Sequence, residues 1–163
     1  MRDLMTYATI CMKELDAIGI RYGKILRWEV NTRAKSRWGQ CRTVPGGFTI
    51  NINADLLDEN NSEEGLKNTI IHELLHSVKG CHGHGTNWKK CAALVNRTYG
   101  YNIKRCNSAE EKGVHRDNEL IAKYILECTL CHKKIFKQRM TDSVRNPQCY
   151  IHGKCGGSLI RVL

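Results

Sequence analysis

The segment Thr69–Val78, TIIHELLHSV, constrains this chain more than any other stretch. His72 and His76 stand four apart among apolar neighbours, and on a helix such positions lie on one face about one turn apart. Two imidazoles can therefore face one metal ion, with Glu73 directly after the first of them. That carboxylate falls beside the ion rather than on it. There it can take a proton from a coordinated water, whose pKa the ion lowers toward about 7. A five-residue pattern with two free positions also arises by chance, and a single helical histidine is more often a core residue than a ligand. Context favours the metal: the motif sits inside an apolar helical pattern and precedes a glycine-broken turn carrying His82 and His84. A catalytic zinc takes three protein ligands and keeps one position open. His82 follows His72 at the spacing of HExxHxxGxxH, but Lys79 occupies the glycine position of that pattern. His84 opens His84-Gly85-Thr86-Asn87-Trp88, at the start of the next helical pattern. Both remain candidates for the third ligand on spacing alone.

The surrounding pattern places this motif in a mixed fold. Leu4, Met5, Ala8, Cys11, Met12, Leu15 and Ile18 recur at helical spacing and predict a helix over residues 3 to 18, ended near Gly19. Ile25 to Val30, Ser36 to Arg42 and Phe48 to Asn53 are short and β-prone, with Pro45-Gly46-Gly47 turning the last two into a pair. They predict a small antiparallel sheet. Ser62, followed by Glu63 and Glu64, opens the helix that carries His72 to His76 and runs to about Val78. A third helix spans Thr86 to Tyr99, with Trp88, Cys91, Ala92 and Val95 on one face. The fold class is α+β: a zincin-like metalloprotease domain over residues 1–105, helices on a small antiparallel sheet, then a polar linker over 106–120. A β zinc ribbon over 121–163 completes it.

The ribbon rests on two knuckles. Cys128-Thr129-Leu130-Cys131 is a CxxC pair, and His152-Gly153-Lys154-Cys155 repeats the form with histidine first. Four such ligands close a tetrahedral structural zinc site, and Cys149 competes with His152 for the fourth place. So small a module cannot bury enough apolar surface alone, so the ion supplies much of its folding energy. Cys11, Cys41, Cys81, Cys91 and Cys106 show no ligand spacing among themselves and read as core or loop residues. The expected cofactors are two zinc ions, one catalytic and one structural.

Charge points to a partner. The formal net charge is +10. Seven Lys/Arg stand between Arg21 and Arg42 against Glu29 alone, and eight follow from Lys123 onward against two acids. Segregation of this kind favours a polyanion, usually nucleic acid. Lys133, Lys134, Lys137 and Arg139, with Phe136 and Tyr150, can track a phosphate backbone and stack a base. A soluble basic surface, or a ribbon that only caps the protease domain, is the competing reading. No apolar run reaches membrane-spanning length, and the first residues lack a signal peptide's apolar stretch, which predicts an intracellular, cytoplasmic or nucleoid-associated monomer.

HELLH followed by HGTNWKK resembles the SprT-like (Spartan-type) metalloprotease family, whose pattern is HExxH, a loop of variable length, then HGxxW or HGxxF. The resemblance implies that His84 is the third ligand and that Trp88 packs the new helix against the site. Ser36-Arg37-Trp38-Gly39-Gln40-Cys41 with Ile50-Asn51-Ile52-Asn53 resembles the strand pair that precedes the family's active-site helix. Many members end in a ribbon, usually with cysteine where this chain has His152. What the resemblance implies is a zinc endopeptidase acting on protein crosslinked to DNA. Two other readings compete with it. One is a nucleic-acid-binding zinc protein with a vestigial site, against which the intact Glu73 argues; the other is a regulatory peptidase with no DNA role. Tyr99 and Tyr101 are candidates to place a hydroxyl near the oxyanion, which spacing alone does not decide.

Overall fold

A computed structural model describes residues 1–34, 37–106, 108–114 and 122–163. They form two compact units that divide between His115 and Arg116. The expected strand start at Ser36 and the end of the expected linker lie outside the described residues.

In the first unit, α1 (Leu4–Ala17) begins where the Asp3 carboxylate accepts the Thr6 N–H at 2.8 Å, and it buries Leu4, Ala8, Cys11 and Leu15 along one stripe. Three strands follow: β1 (Ile25–Asn31), β2 (Gly39–Val44) and β3 (Gly47–Asn53). β2 and β3 form the expected antiparallel hairpin. Its loop places Pro45 first and Gly46, at φ +84°, second, the requirement of a type II turn. β1 departs from expectation, because it lies parallel to β3, giving the order β1-β3-β2 and a mixed sheet. The reason is burial. Ile50 and Ile52 on β3 are fully buried, so that strand needs a partner on each side, and β1 and β2, half-buried to exposed with no fully buried residue, are the edges.

Helix α2 (Glu63–His76) is capped by the Ser62 hydroxyl, which accepts the Gly65 N–H at 3.2 Å. It ends two residues before the expected Val78, because the Ser77 hydroxyl turns back onto the Leu74 carbonyl at 2.7 Å. Nine of its residues are buried, distributed around the whole helix, so it is the central element rather than an amphipathic surface one. α1, α3 (Thr86–Tyr99), β2 and β3 all pack on it. The segment expected to be a linker does not behave as one up to Val114. Within it Val114 joins the core, as Ile103 does just before it, and Lys112, in a short 3₁₀ turn over Glu110–Lys112, is buried too.

The second unit is a three-stranded antiparallel sheet, β5-β4-β6, of β4 (Tyr124–Cys128), β5 (Lys134–Lys137) and β6 (Leu159–Arg161). A short helix α4 (Asp142–Arg145) and a 3₁₀ turn at Pro147–Cys149 interrupt what the sequence presents as hairpins alone. Its core is Leu126, Cys128, Val144 and Leu159. No helix among the described residues is long and apolar enough to cross a membrane.

Candidate metal centres and active site

α2 and the start of α3 bring three imidazoles together. His72 Nε2 lies 3.2 Å from His76 Nε2 and 3.0 Å from His84 Nε2. The other ring nitrogen of His72 meets the Lys104 carbonyl at 3.0 Å, and that of His76 meets the Cys81 carbonyl at 3.2 Å. A carbonyl only accepts, so both rings carry their proton on Nδ1 and turn a bare Nε2 lone pair to the centre. Lone pairs this close repel unless a cation lies between them. Zn–N bonds of about 2.0–2.1 Å place tetrahedral nitrogens roughly 3.3–3.4 Å apart, close to what is seen, so the donor set fits zinc. Burial, reinforced by His76 and His84, pulls the His72 imidazole down to about 3 and keeps it neutral. His76 and His84 are shifted the same way, by burial first.

His82 stands outside this group. It is exposed and stacks on Phe48 with ring centroids 6.2 Å apart. Trp88 is 2% exposed and contacts all three histidine rings, with centroid separations of 4.7–5.8 Å. It anchors α3 against the cluster.

Glu73 is 6% exposed, and burial pushes its carboxyl up to about 7, against the opposing pull of the Cys41 backbone N–H, Lys112 and Arg37. Its position depends on Gly39. A Cβ there would lie 2.6 Å from Glu73 Oε1 and 2.7 Å from Cγ, nearer than real contacts allow. Gly39 is in turn placed by Asn53, whose side-chain amide donates to the Ala34 and Arg37 carbonyls at 2.7 and 3.1 Å, while its backbone N–H donates to the Trp38 carbonyl at 2.8 Å. The Trp38-Gly39 and Asn53 motifs thus belong to one device that seats the carboxylate.

Two cavities flank Glu73. One, of about 340 Å³, is lined by Gly39, Gln40, Cys41, His82 and the three clustered histidines. The other, of about 270 Å³, is lined by Trp38, Gly39, Thr69, His72, Arg105, Cys106 and Lys112. Lys104, Arg105 and Lys112 have no counterpart in any sequence motif. Tyr99 and Tyr101 are committed elsewhere. Tyr99 donates to the Glu14 carbonyl at 2.8 Å and Tyr101 to the Glu14 carboxylate at 2.8 and 3.0 Å, so neither hydroxyl serves the histidine cluster.

A model described as the SprT-like family matches residues 12–107, more than half of the chain. The chain belongs to the SprT-like family. Comparison with curated proteins finds no match. SprT-like membership implies a zinc-dependent, metalloprotease-type enzyme, and the matched range holds the sheet, α2, α3 and all three clustered histidines. The ribbon lies beyond it.

In the second unit Cys128, Cys131, His152 and Cys155 converge, with ligand atoms within 4.8 Å of one another. Cys131 Sγ lies 3.2 Å from His152 Nδ1 and 3.3 Å from Cys155 Sγ, and Cys128 Sγ lies 3.4 Å from Cys155 Sγ. Three thiols and one imidazole with no open position have the chemistry of a structural zinc site. Cys149 is exposed on its 3₁₀ turn and outside the cluster. Lys134 and Lys137 lie on the edge strand β5; Lys133 and Arg139 flank it, exposed.

Proposed function

We propose that this chain is a zinc-dependent endopeptidase acting on proteins held on DNA, with His72, His76 and His84 as metal ligands and Glu73 as the catalytic base. The observation that carries the reading is the convergence of three imidazole Nε2 atoms beside one buried carboxylate. When bound, zinc supplies the Lewis acidity that polarises the scissile carbonyl and acidifies the attacking water. Glu73 removes the proton from that water. Gly39 and the Cys41 N–H hold the carboxylate where it can do so, and its raised pKa of about 7 suits a group that accepts a proton and returns it. Glu73 then gives the proton to the leaving amine, completing cleavage. The structural zinc would be held by Cys128, Cys131, His152 and Cys155.

The DNA half of the proposal is supported by the net charge of +10 and by the basic edge of the second unit, where Lys133, Lys134, Lys137 and Arg139 accompany the 38% exposed Phe136. Such a strip suits backbone phosphates and an unstacked base. The test compares wild type with Glu73→Gln on a protein substrate, with and without single- and double-stranded DNA across a salt series. Loss of about 10²–10⁴ in rate is expected for the variant, and DNA stimulation that weakens with salt is expected for wild type. Unchanged proteolysis by Glu73→Gln refutes the catalytic reading. Indifference to DNA at every salt concentration refutes the DNA reading alone.

A further inference from the structure

The smaller cavity holds a feature that the hydrolytic step leaves unused. Lys112 is 4% exposed and lines it, and no carboxylate among the described residues lies within ion-pairing distance of its ammonium. Glu111, its neighbour in sequence, pairs instead with Lys104 at 3.1 Å. An ammonium brought out of water without a direct ion pair is costly; the charge of Glu73 in the same lining offsets part of that cost, and a bound carboxylate would supply the direct partner.

The placement is rigid. A Cβ on Gly65 would lie 2.1 Å from the Lys112 carbonyl, and one on Gly113, at φ +62°, would lie 2.3 Å from Ser62 Cβ. Two glycines thereby let the backbone around Lys112 rest directly on the first turn of α2. The Ser62 N–H donates to the Gly113 carbonyl at 3.3 Å. Ser108 and Glu111 bond reciprocally, side chain to backbone N–H, at 2.9 and 3.1 Å, in the manner of a capping box. This is a cation fixed by its backbone, unlike a mobile surface lysine.

The cavity also has a defined relation to the chemistry. It shares His72 and Glu73 with the larger cavity but does not include His76 or His84. Thr69, His72 and Glu73 are spaced to line one face of α2, so it extends from the reacting centre about one turn back along the helix. Both cavities touch Glu73, but the larger one holds all three clustered histidines whereas this one holds His72 alone, so it opens away from the metal ligands beside the group that delivers a proton to the leaving amine. At about 270 Å³ it suits a single side chain, and exposed Arg105 also lines it.

Resting on the protease reading above, we propose that this cavity is the subsite for the substrate residue that follows the scissile bond, and that Lys112 makes it select a side chain ending in a carboxylate. The ammonium supplies three N–H donors to that carboxylate, and Arg105 adds a second attraction. Glu73, the only acid among the described lining residues, stays on the reacting bond.

The test uses the zinc-loaded full chain and peptides that differ only after the scissile bond, with Glu, Gln, Ala or Lys there. Glutamate is expected to exceed glutamine by about tenfold or more in kcat/KM, and Lys112→Met to reduce that ratio to about twofold or less. Arg105→Ala, at an exposed position, should lower it by a smaller factor and serves if Lys112→Met does not fold. Calorimetric binding of the Glu and Gln peptides to Glu73→Gln protein reads the same preference without turnover, and only the Glu affinity should fall steeply with salt. Hydrolysis of all four peptides alike, or a preference that survives Lys112→Met, overturns the subsite assignment and leaves the protease reading standing. Glutamate-selective binding with no hydrolysis of any peptide by wild type supports the pocket and overturns the protease reading instead.

Discussion

Gly39→Ala tests whether the position of the Glu73 carboxylate, rather than its presence, sets activity. The added methyl carbon would sit 2.6 Å from Oε1, 2.7 Å from Cγ and 2.9 Å from Cδ of Glu73. Ordinary carbon contacts are about 3.5–4.0 Å, so the carboxylate must retreat by about 1 Å. Gly39 does not have a positive φ, so alanine brings no backbone strain of its own and the whole cost falls on this contact. Glu73 has little room to swing aside, being 6% exposed on the central helix. Overpacking of this kind costs about 1–3 kcal/mol in stability. A misplacement near 1 Å at the reacting group can cost about 10² in rate. The three histidines lie off the path of the clash, so zinc content should stay at its wild-type value. The assay pairs thermal unfolding and metal analysis with kcat on a peptide substrate. A loss of kcat near 10²-fold with intact zinc and a modest fall in Tm is expected. Wild-type kcat in a folded, zinc-loaded Gly39→Ala protein would refute the claim that Gly39 seats the catalytic carboxylate.

Three further outcomes follow from the same contacts. Tyr101→Phe removes a phenol bonded to both Glu14 carboxylate oxygens, and should cost about 1–2 kcal/mol in denaturant unfolding while leaving kcat and zinc affinity unchanged. Cys128→Ser removes a buried thiol from the four-ligand cluster, and should leave residues 122–163 protease-sensitive while the first unit resists, as read by limited proteolysis with mass spectrometry. Burial pushes the Cys11 thiol up to about 12 in the fold, whereas an unfolded thiol ionises near 9. The stability due to the neutral thiol is therefore complete below about pH 9 and lost as pH rises toward 12. Wild type should lose up to about 1.4 kcal/mol per pH unit more than Cys11→Ala in urea melts across that window, and parallel profiles would refute the assignment.

What the sequence discloses, and what it hides, divides along a physical line. His72, His76, Cys128, Cys131 and Cys155 are legible because donor chemistry at fixed spacing leaves few alternatives, whereas spacing leaves His84 level with His82, and His152 with Cys149, until the fold brings one of each pair into its cluster; α3 is legible to the residue because one face is apolar and Gly100 ends it at φ +74°. α2 is legible by its Ser62 start and its apolar run, but its end is read two residues late, since a helix buried all round has no polar face to mark where it stops. The parallel pairing of β1 is not legible, because local patterning says that a strand exists but not which edge it joins. Lys112 and Gly39 are hidden for a stricter reason. Each matters through an absence that only folding reveals: the Cβ missing at Gly39 makes room for Glu73, and the one missing at Gly65 lets the backbone of Lys112 close onto α2. A glycine that permits contact between distant segments reads, in one dimension, like any loop glycine. The metal ligands thus announce themselves by what they carry, whereas the residues that shape the carboxylate and its neighbouring pocket act by what they leave out. For that reason the chemistry of this chain can be inferred from its sequence, while its selectivity has to be read from the contacts around Glu73.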